Sequence, residues 1–258
     1  MPLKAGIQVS ANAQELSRLA AEQFVRLAIE AQREKGLFTV ALAGGSTPKT
    51  LYELLANGNE PYRAQLGWEK IHFFWGDERH VPPDHPESNY LMASKSMLAS
   101  VPVPLENVHR VKSEIADAGK AADDYERTLR EFFTLATGQF PRFDLILLGM
   151  GPDGHTASIF PNSDVINEKE RLVVATWIEK LKSYRITLTP PVLSNAAAAI
   201  FLVSGAEKAN ALREVLEGDY QPERFPAQLL RPTTGNVLWL VDREAARLLG
   251  EPAGFRTQ

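Results

Sequence analysis

FDLILLGMGPDGHTASIFP, residues 143–161, begins as oil and ends as punctuation. After Asp144, the unbroken apolar run Leu145 to Leu148 reads as a strand buried on both faces, the pattern of a parallel sheet. Gly149, Gly151, Pro152 and Gly154 then mark a sharply turning loop that carries one acid, Asp153, and one imidazole, His155. Two readings of the histidine stand side by side. In one it merely caps or precedes a helix beginning near Thr156. In the other it sits at a strand end, with a ring that titrates near neutrality, as a general acid or base.

Working outward, the same alternation of apolar run and helical stripe recurs. Leu16, Leu19, Ala20, Phe24, Leu27 and Ala28 line one face of a helix over 14–35 that should end near Gly36. Candidate strands cover 37–45, 71–77, 143–151, 171–178, 185–189, 197–205 and 236–242, separated mostly by helical segments. This predicts an α/β fold with a largely parallel sheet flanked by helices on both faces. No linker or internal repeat interrupts it, so a single domain over 1–258 is expected. In such sheets ligands bind beyond the carboxyl ends of the strands, so functional residues are expected there.

Composition narrows the chemistry. Lys plus Arg is 28 against 32 Asp plus Glu, a net charge of −4, so there is no global field to recruit nucleic acid or an anionic membrane. The absence of Cys removes disulfides, thiolate catalysis and Cys-based metal sites. No apolar run reaches the roughly 18 residues of a membrane span, and the N-terminal stretch is too polar for a secretory signal, so a cytoplasmic protein is expected.

Two further strand ends are chemically unusual. In ALAGGSTPKTLYELL, residues 41–55, Gly44, Gly45 and Ser46 precede a helix with Thr47 as its expected N-cap and Pro48 in its first turn. The stretch is either an anion cradle of free amides or a well-capped turn; it is neither a Walker loop nor a dinucleotide fingerprint. In FFWGDERHVPPDHPESNY, residues 73–90, Asp77, Glu78, Arg79 and His80 follow an aromatic strand, and Arg79 offers a planar fork suited to phosphate. His72 and His109 read as packing or surface residues. His80 and His85 suggest a metal pair only weakly, because no carboxylate–histidine ladder accompanies them.

LAGGSTPKTLYELL, FFWGDERHVPPDHPESNY, DLILLGMGPDGHTASIFP, RITLTPPVLSNA and PAQLLRPTTGNVLWLVD, in this order, resemble the 6-phosphogluconolactonases of the glucosamine-6-phosphate isomerase/6-phosphogluconolactonase family. The resemblance runs from about residue 10 to 250. It implies a Rossmann-like fold and hydrolysis of 6-phosphoglucono-1,5-lactone, the second step of the oxidative pentose phosphate pathway, with no metal or other cofactor. The family's catalytic histidine falls on His155, its phosphate-binding arginine on Arg79, and its later basic pair on Lys180 and Arg185, with Lys182 as a neighbouring alternative to Lys180. Beside it, Asp77 or Asp153 would orient the imidazole or the water, and amides around Gly151 to Gly154 would meet the oxyanion. The expected partner is a small phosphorylated sugar lactone, bound by a monomer. Sugar-phosphate deaminases of the same family differ in carrying a glutamate five residues after the histidine, where this chain has Phe160. A sugar-phosphate sensor with a DNA-binding domain is the remaining reading, and neither the charge nor the first 36 residues favours it.

Overall fold

The structure is a computed structural model and describes residues 6–230 and 236–250. The RPTTG part of the last quoted segment, 231–235, lies outside the described residues. The described residues form nine strands: β1 (Gly6–Ser10), β2 (Phe38–Leu42), β3 (Ile71–Trp75), β4 (Asp77–Arg79), β5 (Leu145–Gly149), β6 (Val173–Ile178), β7 (Ser183–Leu188), β8 (Ala198–Val203) and β9 (Asn236–Asp242). The helices are α1 (Ala13–Lys35), α2 (Ser46–Ala56), α3 (Tyr62–Gln65), α4 (Asn89–Ser96), α5 (Ala118–Phe132), α6 (Pro190–Ser194), α7 (Ala209–Glu217) and α8 (Arg243–Ala246).

Six strands form one sheet in the order β1-β9-β8-β5-β2-β3, and every pairing in it is parallel. All residues of β2 and β8 are buried, as are Leu145 to Leu148 of β5, so both faces are covered. The two coverings can be told apart by strand alternation. Phe38 packs on Phe24 of α1 with ring centroids 5.4 Å apart, whereas Phe74, whose partner in β2 is Ala41, meets Phe132 at the end of α5 at 5.1 Å. Phe38 and Ala41 point to opposite faces, so α1 and α5 lie on opposite sides of the sheet. From β2 the chain moves one way to β3 and later returns on the other side as β5. That reversal puts the topological switch point, where such sheets open a crevice, between the carboxyl ends of β2 and β5.

The expectation of a parallel sheet needs one amendment. The segments 171–178 and 185–189 supply β6 and β7, which join β4 in a separate antiparallel sheet, β4-β7-β6. The reason is local: only Glu179 to Lys182 separate β6 from β7, far too short for a parallel crossover and suited to a hairpin. The α2 cap also differs. The helix starts at Ser46 with Gly45 as its cap residue, and no side chain caps it; Thr47 lies inside the first turn. Residues 156–160 are a turn closed by a Thr156–Ile159 bridge, so His155 does not cap a helix.

Two buried tyrosines finish the strand ends that face the crevice. The Tyr52 hydroxyl accepts from Ala43 N (3.0 Å) and donates to Ala43 O (2.9 Å), and Tyr125 does the same for Trp75 at 2.8 and 3.0 Å. The backbone can therefore leave the sheet at β2 and β3 without orphaned polar groups. Burial raises both phenol pKa values, so both remain neutral donors.

Candidate active site

A cleft of about 250 Å³ opens at the switch point. Its walls come from four strand ends: Gly44, Gly45 and Ser46 after β2, Asp77 and Arg79 of β4 just beyond β3, Gly151 and His155 after β5, and Lys208 after β8. The sequence expectations for Gly44, Gly45, Ser46, Asp77, Arg79, Gly151 and His155 thus converge on one place. Asp153, Gly154, Lys180 and Arg185 stand behind this lining rather than in it.

The histidine is the best-determined group. His155 Nδ1 lies 2.5 Å from Asp153 Oδ1, which leaves Nε2 as the free ring nitrogen. On one side the ring lies so close to Gly151 that a Cβ there would fall 2.1 Å from Cε1 and Nδ1, a contact no side chain tolerates. Phe160 stacks nearby, with ring centroids 4.1 Å apart and planes 24° apart. Burial alone would raise the Asp153 carboxyl. Hydrogen bonds from His155 and Lys180 outweigh it and hold the acid well below the usual carboxylate range, so it stays ionised beside the imidazole.

This geometry separates roles that the sequence left merged. Asp153, not Asp77, contacts the imidazole; Asp77 Oδ2 instead accepts from Ser158 Oγ at 2.7 Å while its carboxylate lines the cleft. The amides proposed for the oxyanion are in part already engaged: Gly151 N donates to His155 O and Gly154 N to Gly151 O, which tightens the turn instead of serving a ligand. Gly44 is small for a reason other than ligand approach, because Asn89 Oδ1 would lie 2.0 Å from any Cβ there.

The cationic side is built across two strands. Arg79 of β4 and Arg185 of β7 are directly paired in register, so their side chains leave the same face of the small sheet. Like charges in that position repel. Arg79 Nη1 donates to the Glu87 carbonyl (2.8 Å) and its buried Nε has no partner; Arg185, itself buried, donates to Ser183 Oγ (2.7 Å) and Tyr184 O (3.2 Å). Among the described residues neither guanidinium makes an ion pair within 4.0 Å. Burial, and then the charge of Arg79, lower the Arg185 pKa. The pair is an electrostatic arrangement that an anion would complete. Across the cleft, the uncapped amides at the start of α2 add the positive end of a helix dipole.

Three contributors escaped the sequence reading. Lys208 lines the cleft, its pKa lowered by burial against the pull of Glu207 and Asp242. The strand-end rule points straight at it, four residues after Ser204 closes the apolar run of β8. Glu78, in the middle of the charged cluster, is buried; it accepts from Arg79 N (2.8 Å), Ser88 Oγ (3.1 Å), Asn89 N (2.7 Å) and Tyr90 N (2.8 Å), tying the start of α4 to β4. Asn89 then donates to Asp77 O at 2.9 Å and lines the cleft. Lys180 pairs with Asp153, and Lys182 with Glu179, so Lys180 is the lysine that reaches the histidine loop.

The histidines outside the cleft do other work. His72 and His109 contact each other at 3.2 Å and pack among Phe74 and Phe132, as expected of core residues. His80 Nε2 bonds Ile115 O at 2.8 Å, and His85 Nδ1 accepts from Glu87 N at 3.2 Å. Among the described residues no three His, Asp or Glu side chains are grouped to hold a metal ion, and no helix is long and apolar enough to cross a membrane.

Residues 11–239 match the family model of glucosamine-6-phosphate isomerases/6-phosphogluconolactonase. A 6-phosphogluconolactonase of Synechocystis is 44% identical over 216 residues, 84% of this chain and 86% of that protein. The structure of a 6-phosphogluconolactonase from Trypanosoma brucei superposes with a TM-score of 0.83 at 33% identity, covering 96% of this chain and 99% of the other. A monomeric glucosamine-6-phosphate deaminase shares the fold at a TM-score of 0.79 but only 22% identity. With the family model matched over residues 11–239 and a relative 44% identical over 84% of this chain, the chain belongs to the glucosamine-6-phosphate isomerase/6-phosphogluconolactonase family.

Proposed function

We propose that the chain hydrolyses 6-phosphoglucono-1,5-lactone to 6-phosphogluconate, with His155 as general base. The observation that carries this reading is the placement of an Asp153-bound imidazole and the unpaired Arg79 on one cleft, with Arg185 beside Arg79. An ester needs water at its carbonyl carbon and a base for the water's proton. His155 Nε2 takes that proton while Asp153, already accepting from Nδ1, stabilises the imidazolium. Asp77, fixed by Ser158 and not engaged with the imidazole, is left to orient the water or a ring hydroxyl.

The phosphate would sit at the other end of the substrate, held by Arg79, Arg185, Lys208 and the amides of Gly44 to Ser46. Binding energy collected there orients the lactone for attack. The deaminase reading is less well supported, since Phe160 stacks on the imidazole where a proton-carrying glutamate would be needed. A rapid assay with freshly made 6-phosphogluconolactone beside glucosamine-6-phosphate decides between them. Turnover of the lactone above its spontaneous opening, and none of the amino sugar, is expected; the reverse outcome overturns the proposal.

A further inference from the structure

Four groups close a ring behind the cleft. Asp153 touches both His155, through Oδ1, and Lys180, through Oδ2. Phe160 touches the same two partners: its ring stacks on the imidazole at 4.1 Å, and the Lys180 ammonium lies 4.6 Å from its centroid. Lys180 comes from the turn between β6 and β7, so the contact joins the histidine loop after β5 to the small sheet. Its ammonium is committed to a carboxylate and a ring face, and it does not line the cleft where a phosphate would lie.

We propose that Phe160 and Lys180 are positioning residues for His155: the Phe160 ring fixes the plane of the imidazole, and Lys180 restrains the hold of Asp153 on the imidazolium. This rests on the reading of His155 as the base. An ionised aspartate bonded to Nδ1 favours the charged imidazole over the neutral base. A cation on the second carboxylate oxygen opposes this. The other charged groups that line the cleft with the imidazole are Asp77 and Arg79 of β4 and Lys208 after β8. They act equally in wild type and variants, so Lys180 can be tested against a constant background. Phe160 has no charge to contribute. Its flat face, with Gly151 against the ring, leaves the imidazole little freedom to rotate about its bond to Cβ.

The test follows the His155 ring by nuclear magnetic resonance titration, beside pH profiles of kcat and KM for the phosphorylated lactone. In Lys180→Met, which removes the cation from the second oxygen of Asp153, the acid limb of kcat and the His155 ring signals that follow it should both move to higher pH. KM should stay within about two-fold, and Lys180→Arg should restore both midpoints. Phe160→Leu keeps apolar volume but has no flat face; kcat should fall about 5- to 20-fold with KM nearly unchanged, while a wild-type Tm establishes that the fold is intact. An unshifted His155 titration in Lys180→Met together with a KM raised about ten-fold or more would show that this lysine holds phosphate, and the proposal for it would fall. An unchanged kcat in Phe160→Leu would reduce that ring to packing. If the titration shifts appear but wild type itself fails to open the lactone, the clamp stands and the reading of the reaction falls.

Discussion

Arg79→Met is the most discriminating single change, because the structure assigns it a large effect on binding and a small one on stability. Methionine keeps much of the stem's apolar volume and removes the guanidinium. On the functional side, one charge-assisted contact to a dianion is lost, on the order of 1.5–3 kcal/mol, or about 10- to 150-fold in kcat/KM. On the stability side the change removes a cation paired in register with Arg185, a like-charge pair that costs roughly 0.2–1 kcal/mol, and an Nε buried without a partner. Against this stands one lost hydrogen bond to the Glu87 carbonyl, worth about 0.5–1.5 kcal/mol. The stability terms nearly cancel, so Tm should move by no more than about 4 °C for a chain of this size. Two assays read the result. Steady-state hydrolysis of the phosphorylated lactone should show the loss, with Arg79→Lys recovering only part of it because the planar fork is gone. Hydrolysis of unphosphorylated glucono-1,5-lactone should be poor in wild type and little worse in the variant. Equal proportional losses on both lactones, or a Tm lowered far beyond this range, would mean that Arg79 serves the carbonyl end or the fold, and its role in phosphate recognition would be withdrawn.

His155→Asn should lower kcat by about 10²-fold or more with a smaller change in KM, since only the proton transfer is lost; near-normal turnover would leave the imidazole a structural group. Asp153→Asn should reduce stability at neutral pH, because the wild-type carboxyl is held below its unfolded pKa. That contribution is present above about pH 4 and is lost as pH falls through the folded value, so chemical denaturation should show the gap between the two proteins closing in acid. Tyr52→Phe leaves Ala43 N and O without their shared partner, and should cost about 1–3 kcal/mol in urea unfolding while also raising KM through the loosened Gly44–Gly45 loop. A chelator-treated preparation should keep full activity, and activity lost with chelator and restored by zinc would reopen the case for His80 and His85.

The parts of the molecule legible from sequence are those in which a local pattern and the tertiary outcome agree. The apolar run at Leu145 to Leu148 could be buried only on both faces, and the rule that ligands meet the carboxyl ends of strands then points to Gly44 to Ser46, Asp77, Arg79 and His155, all of which line the cleft. What stayed hidden depended on register and on side-chain direction. Nothing in the string GDER says that Glu78 turns inward to hold α4 while Arg79 and Asp77 face the cleft; a three-residue strand alternates its faces, but which face is wet is set by β7 alongside it. Arg185 became informative only once its register partner was Arg79, because a lone buried arginine signals little, whereas two side by side with no ion pair within 4.0 Å among the described residues make a cationic face suited to an anion. Lys180 shows the same limit in reverse. The family resemblance pairs it with Arg185, and the β6–β7 turn brings its ammonium onto Asp153 of the histidine loop. A basic residue near a site in sequence can thus face a ligand or pair with an acid of the site, and only the fold tells the two apart.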